Sequence, residues 1–146
     1  MIYAILQDSQ GYLWFGTKRG LNRFDGLETT EFLGQHRESH NKDLHVADLH
    51  EDRDQYLWVA TKFGLYQLSP GRDVLAQYTP VEGDETSLSD HRLNCLYEDP
   101  SGTLWIGSGT LWIGTGTGLN EFDKSTGTSR RHLHDPDDPI QSEAIM

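Results

Sequence analysis

Short apolar runs alternate with turn residues along the whole chain, and no segment keeps the spacing of an amphipathic helix. In the first unit, an apolar run at Ile2–Leu6 is followed by a turn at Asp8–Gly11 and by a second apolar run around Trp14. A tight turn ending at Gly20 and a third run at Leu21–Phe24 come next, and a weaker fourth run follows. The pattern predicts four short antiparallel strands joined by turns.

The same block recurs three times, as DSQGYLWFGTKRGLNRFD at 8–25, DRDQYLWVATKFGLYQLS at 52–69 and DPSGTLWIGSGTLWIGTGTGLNEFD at 99–123. Its leading aspartates, Asp8, Asp52 and Asp99, lie 44 and 47 residues apart. Four strands in a unit of roughly 40–50 residues are typical of a β-propeller blade. Propellers close with about four to eight blades. We therefore predict an all-β fold, a partial β-propeller of about three four-stranded antiparallel blades that is not closed.

The predicted blades cover residues 1–35, 44–80 and 91–134, and residues 140–146 are expected to begin a fourth blade that is cut off. A blade buries its faces only against its neighbours. An open stack of three blades is therefore expected to leave apolar faces uncovered at its two ends.

Two residue types in the block are expected to be structural. The tryptophans lie within apolar strands, which favours blade packing over ligand contact. The glycines end the tight turn between the second and third strands, where a positive φ is expected at Gly20 and Gly64. The structural repeat residues are Trp14, Trp58, Trp112, Gly20, Gly64 and Gly118.

The third unit contains the heptapeptide SGTLWIG twice, at 101–107 and 108–114. Side chains in a strand alternate between its two faces, so an insertion of seven residues moves every later side chain to the opposite face. Only one copy can therefore form the strand. We expect the second copy, with Trp112, to hold it, because the turn before Gly118 is then tighter, and the first copy to form a loop.

The pattern D-x-x-G-x-L-W-x-G-T-x-x-G-L-x-x-F-D resembles the two-component regulator propeller repeat. The match is nearly complete at Asp8–Asp25, whereas the second unit departs from it at Gln55, Ala60 and Leu68 and the third through its insertion. The resemblance implies the periplasmic N-terminal sensor region of a bacterial hybrid two-component or diguanylate cyclase receptor. It also implies oligosaccharides as a ligand class, but it transfers no ligand-contacting residue, and the sequence shows no signal peptide.

The composition narrows the range of partners. Lys plus Arg number 12 and Asp plus Glu 23, giving a net charge of −11. Such an acidic chain is not expected to bind nucleic acid or an anionic membrane surface. Cys95 is the only cysteine, so no internal disulfide can form. The expected partners are an oligosaccharide or another polar small ligand and the remaining blades of the parent chain, with no cofactor.

The histidines and aspartate clusters do not predict a metal site or a catalytic site. The histidine groups lack the spacing of a zinc site, and the aspartate groups lack the glycine and distal glutamate of a calcium loop. We expect exposed loop histidines and turn-forming aspartates. The groups are His36, His40, His45 and His50; His132 and His134; Asp52–Asp54; and Asp135–Asp138.

Loops at one end of the blades form the candidate ligand surface. In propellers, the inter-blade links and the turns between second and third strands open on one face. We name the six residues expected there the rim: Lys18, Arg19, Lys62, Phe63, His91 and Arg92. A basic, partly aromatic rim suits a sugar or an acidic glycan, and a solvated rim without a ligand is the alternative.

The leading functional hypothesis is an extracytoplasmic ligand-sensing module of a bacterial membrane receptor, without enzymatic activity. One alternative is the blade segment of an enzyme propeller, either a quinoprotein or a polysaccharide-degrading enzyme. Another is a scaffold propeller without a ligand.

Overall fold

The computed structural model describes residues 1–33, 43–108 and 118–132. These residues form three four-stranded antiparallel sheets, each with its strands in chain order, and none of the sheets is closed. The first blade contains β1 (Ile2–Gln7), β2 (Leu13–Thr17), β3 (Leu21–Phe24) and β4 (Thr29–Phe32). The second contains β5 (Val46–Glu51), β6 (Leu57–Thr61), β7 (Gly64–Leu68) and β8 (Val74–Tyr78). The third contains β9 (Leu93–Glu98), β10 (Leu104–Ser108), β11 (Leu119–Asp123) and β12 (Thr128–His132).

The predicted fold class is confirmed: the described residues form an all-β stack of three open blades. The expected start of a fourth blade, at 140–146, lies outside the described residues. In the part of the chain that the structure describes, no helix has the length and apolar character needed to cross a membrane.

The tryptophans of the first two blades fill the spaces between blades. Trp14 is fully buried and packs in one cluster with Val46 and Leu49 of the next blade. Trp58 is fully buried in a second cluster and meets the ring of Phe122 edge-on at 5.5 Å between centroids. Each ring contributes roughly 2–3 kcal/mol through apolar burial. One fully buried tryptophan therefore lies in the apolar cluster at each of these two interfaces.

The first turn of each unit has the same hydrogen bond in all three blades. The carbonyl of the leading aspartate accepts from the backbone N–H three residues later, at Gly11, Gln55 and Gly102, over 2.9–3.0 Å. All three of those residues have positive φ, at 91°, 71° and 92°. Gln55 therefore forms the turn although the sequence lacks glycine there.

The turn between second and third strands differs from the expectation at one glycine. Gly64 has a φ of 106°, as expected, but Gly20 does not have a positive φ. The Gly20 N–H stays within its own turn and donates to Thr17 Oγ1 at 3.1 Å. The Gly64 N–H instead turns outward and donates to the His91 carbonyl in the following link at 2.7 Å. The expectation for Gly20 was wrong: with its N–H bonded to Thr17 inside the turn, Gly20 takes a conformation without positive φ, whereas the N–H of Gly64 bonds to the next link.

The first copy of the duplicated heptapeptide holds the strand. Its residues form most of β10, in which Trp105 pairs with Tyr97 on β9 and with Glu121 on β11. The expectation that the second copy would hold the strand is therefore wrong, and Trp112 itself lies outside the described residues. The reason is local, because Trp105 is the tryptophan that reaches the carboxylate of Asp99 at the preceding turn, at 3.0 Å.

Candidate functional site

Main-chain hydrogen bonds join the rim turns to the links between blades. The N–H of His45 donates to the Lys18 carbonyl at 2.7 Å, and the N–H of Lys62 donates to the Leu44 carbonyl at 3.1 Å. The N–H of Gly64, next to Phe63, reaches the His91 carbonyl. The first of these bonds ties the β2–β3 turn to the 43–45 link, and the other two tie the β6–β7 turn to both links. The structure therefore brings the rim turns together at one end of the blades.

The rim cations are exposed, and two acidic residues lie among them. Lys18 Nζ lies 3.6 Å from Asp43 Oδ2. His91 Nδ1 and Arg92 Nε each lie 3.7 Å from Asp90 Oδ1, and both side chains are 55% exposed. These are loose surface pairs, which stabilise a fold by about 0–1 kcal/mol. They leave the cations available to an incoming ligand.

The two remaining cations of the rim are less engaged. Arg19 and Lys62 are exposed, and neither forms an ion pair within the described residues. The Arg19 backbone N–H donates to Thr17 Oγ1 at 3.2 Å, which fixes the turn while the side chain stays in solvent. Among the described residues, no carboxylate neutralises these two positive charges on an acidic protein.

The aromatic component of the rim is divided between two places. Phe63 is half-buried and packs against the cluster between the first and second blades, so only part of its ring faces solvent. Tyr3 is 41% exposed and stacks on His45 with ring centroids 4.5 Å apart. Sequence reasoning missed Tyr3, although its position opposite the β2–β3 turn, next to the Ile2–Thr17 pair, would have placed it near the rim.

The opposite end of each blade carries a different repeated arrangement, which we call the Asp–Trp bracket. In the second blade, Asp52 Oδ1 accepts the backbone N–H groups of Asp54 and Tyr56 at 2.9 and 3.0 Å. Its other oxygen, Oδ2, accepts the indole N–H of Trp58 at 2.8 Å. The same bonds join Asp8 to Trp14 at 2.8 Å and Asp99 to Trp105 at 3.0 Å. One carboxylate thus caps the turn and orients the packing ring.

A cation from the next blade joins each of the first two brackets. Arg72 Nη2 lies 3.2 Å from Asp8 Oδ2 and 2.7 Å from Glu51 Oε2. Lys124 Nζ lies 3.2 Å from Asp52 Oδ2 and 2.7 Å from Glu98 Oε2. We call this a clamp: a cation between the third and fourth strands bridges the bracket of the preceding blade and a glutamate ending the first strand of its own blade. Breaking a buried pair of this kind typically costs about 3–5 kcal/mol.

The clamps control the ionisation of their members. Burial alone would raise the pKa of Asp52, but hydrogen bonds from Trp58 and Tyr56 and the charge of Lys124 hold that pKa below its usual value. Burial would likewise lower the pKa of Lys124, but Glu98 and Asp52 raise it above its usual value. The clamp of the second and third blades is therefore charged at neutral pH.

A groove of about 760 Å³ lies between the second and third blades on the side of the brackets. Its lining includes Tyr56, Gln67, Glu121 and Lys124 and no rim residue. The ammonium group of Lys124 is already paired with Asp52 and Glu98 in the clamp, so it is not free to bind a ligand in the groove. The rim and the groove are thus separate surfaces.

The candidate metal groups take structural roles where the structure describes them. His50 lies 3.1 Å from Glu98, His132 lies 3.0 Å from Glu121, and His45 stacks on Tyr3. Within the described ranges, no three metal-binding side chains form a cluster. The remaining candidates lie outside the described residues: His36, His40, His134 and Asp135–Asp138.

Known structures share the fold of the chain. An extracellular domain assigned to a hybrid two component system of B. thetaiotaomicron matches at a TM-score of 0.70 and 24% identity, over 90% of this chain and 18% of that one. Virginiamycin B lyase from Staphylococcus aureus matches at 0.62 and 17%, over 88% and 40%. PorZ, a surface component of the type-IX secretion system of Porphyromonas gingivalis, matches at 0.56 and 24%, over 93% and 18%. The chain thus spans less than half the length of each of these three proteins.

Sequence comparison points to one family. No curated protein matches the chain. The family model described as two component regulator propeller matches residues 1–19 and 87–110, which include the start of the first unit and the first copy of the heptapeptide in the third. In these two segments the chain is similar to the two component regulator propeller repeat.

Proposed function

We propose that the chain is an extracytoplasmic ligand-sensing module of a bacterial signalling receptor, and that it binds its ligand without transforming it. The observation that carries the proposal is the family of its repeats, together with a fold shared with the extracellular domain of a hybrid two component system. We place this module in the periplasm, as the resemblance implies. Fold alone does not define a function, so the proposal depends on the site.

The rim supports a polar, partly anionic ligand. Arg19 and Lys62 present positive charge without an ion-pair partner in the described residues, on a chain with a net charge of −11. Tyr3 adds a partly exposed aromatic ring on β1, the strand that pairs with β2 next to the β2–β3 turn. Cations with a ring beside them can hydrogen-bond and stack on a sugar. We propose an acidic oligosaccharide as the ligand class.

Glycan-array binding by the full chain tests this function. Lys18→Ala combined with Lys62→Ala should weaken binding to the best acidic glycan by at least about tenfold, the equivalent of about 1.4 kcal/mol. Arg130→Ala is the matched control, because Arg130 is an exposed cation on β12 outside the rim. Equal binding by the double variant and the control would exclude the rim.

Mass spectrometry of the bound glycan separates binding from catalysis. An unchanged glycan mass after prolonged incubation agrees with a sensor. Release of a shorter product would contradict the proposal and favour an enzyme propeller.

A further inference from the structure

We propose that the outer face of the third blade, which carries Trp105, docks a further blade with a specific charge requirement. The docked blade has Lys or Arg between its third and fourth strands and an acidic residue at the end of its first strand. It completes a third clamp on Asp99. This inference concerns assembly and does not depend on the ligand proposed for the rim.

The first argument is continuity with the two interfaces already present. The bracket of the first blade is completed by Arg72 and that of the second by Lys124, each from the blade that follows. Asp99 forms the same bracket: Oδ1 accepts the N–H groups of Ser101 and Thr103, and Oδ2 accepts the indole of Trp105. Within the described residues no cation reaches Asp99 Oδ2. The third bracket therefore has the same acceptor geometry without its cation.

The second argument is the exposure of the surrounding face. Trp14 and Trp58 are fully buried by the next blade, whereas Trp105 is only half-buried. Tyr97, which pairs with Trp105 and shares its face, is 62% exposed. An aromatic face beside a charged acceptor matches the surfaces that the second and third blades cover.

The third argument identifies the occupant by excluding the first blade of a second copy. At the end of its first strand the first blade has Gln7 where the others have Glu51 and Glu98. Its turn between the third and fourth strands, 25–28, contains no Lys or Arg. Head-to-tail pairing of two copies would therefore bury Asp99 without a cation, which is costly. The face requires a cation-bearing blade of the same repeat type.

The chain itself supplies the probe for this requirement. A copy of residues 91–132 is fused after residue 146, so that the added blade brings a glutamate and a lysine equivalent to Glu98 and Lys124. A matched fusion carries Lys124→Met in the added copy only. A third fusion adds residues 1–33, the blade without the clamp residues. In all three, the tryptophan of the added blade that corresponds to Trp105 or Trp14 is Phe.

The readout is the rate at which the Trp105 indole N–H exchanges with solvent, followed by ¹⁵N NMR and assigned with Trp105→Phe. The fusion with lysine should slow this exchange at least tenfold relative to the unfused chain. The methionine fusion and the 1–33 fusion should each leave it within about twofold. Circular dichroism of each fusion checks that the added strands have formed.

Asp99→Asn in the original third blade isolates the charge pairing from packing. In that background the lysine and methionine fusions should exchange at the same rate, because the partner of the lysine has lost its charge. Equal protection by all three fusions, or protection by none, would overturn the proposal. A lysine effect that survives Asp99→Asn would overturn the assignment of Asp99 as the acceptor.

Discussion

At the residue scale, the leading aspartate of each unit has several partners at once. Asp52 accepts two backbone N–H groups, one indole N–H and one ammonium group, so that turn, packing ring and next blade meet at one carboxylate. A glutamate would place its oxygens one methylene farther from the turn and could not cap it in the same way. The sequence could predict the turn from Asp and Gly, but not the cation, because Arg72 and Lys124 occupy different positions in loops of different length.

Replacing Gln55 by Gly should stabilise the protein. Gln55 has a φ of 71°, where a residue with a Cβ is disfavoured by roughly 1–2 kcal/mol. Part of this gain is offset by the greater freedom of glycine in the unfolded chain, so we expect about 0.5–1 kcal/mol. Urea unfolding at pH 7 measures the difference. Gly11→Gln, at the equivalent turn of the first blade, is the matched variant and should destabilise. A loss of stability in Gln55→Gly would show that the turn is held by something other than backbone geometry.

At the element scale, the distance from aspartate to tryptophan decides the register of the third blade. The tryptophan bound by the aspartate lies six residues after it in all three units, as Trp14, Trp58 and Trp105. Ser108 then supplies the hydroxyl that Thr17 and Thr61 supply elsewhere, donating to the carbonyl of the glycine that ends the turn. The constant spacing was readable in the sequence. The bracket that gives it physical meaning was not, so the tightness of the following turn misled the prediction.

Truncating the two tryptophans of the duplication should have unequal effects. Trp105→Ala should cost about 2 kcal/mol, roughly half of the 3–5 kcal/mol of a fully buried aromatic residue, because the ring is half-buried. Trp112→Ala should cost less than about 0.5 kcal/mol, since the strand position is already filled. Urea midpoints of the two variants, measured side by side, check the assignment. A larger loss from Trp112→Ala would return the strand to the second copy.

At the scale of the whole molecule, the repeat makes the architecture predictable and the surface less so. Strand number, order and blade packing follow from periodicity, because each unit can bury its apolar strands only against another unit. The rim could be located from the topology of a propeller. The Tyr3–His45 stack could not, because it joins two blades through a residue with a positive φ, at 51°, that no turn motif predicts.

The molecule should lose stability progressively as the pH falls from about 5 to about 2. Hydrogen bonds from Ser101 and Trp105 lower the pKa of Asp99 to about 2, and the pKa values of Asp8, Asp52 and Glu98 also lie below their usual range. As the pH falls, the unfolded chain therefore takes up protons before the folded chain does. This uptake shifts the equilibrium toward the unfolded state. Urea midpoints measured at pH 7, 4 and 2.5 should fall slightly from the first value to the second and further from the second to the third.

Lys124→Met is the control for the clamp contribution to this acid sensitivity. Without the ammonium group, the folded-state pKa values of Asp52 and Glu98 rise toward their unfolded values. The loss of stability between pH 7 and 2.5 should therefore be smaller than in the native chain and should be complete at a higher pH. The raised pKa of Lys124 contributes stability that is lost only above its ordinary value of 10.5. A urea midpoint unchanged between pH 4 and 2.5 in the native chain would show that the carboxylates are not what the acid titrates.

Because main-chain hydrogen bonds hold the rim turns in place, the side chains of the rim can be varied by mutagenesis. Lys18, Lys62 and His91 are anchored through their main-chain atoms. Among the described contacts, the side chains of Lys18 and His91 form only loose surface ion pairs. Amino-acid identity at those positions can therefore change without moving the loops that display it. A randomised library at the exposed positions 18, 19, 62, 91 and 92 should fold as the native chain does and yield binders to new targets, much as loop libraries do on antibody frameworks.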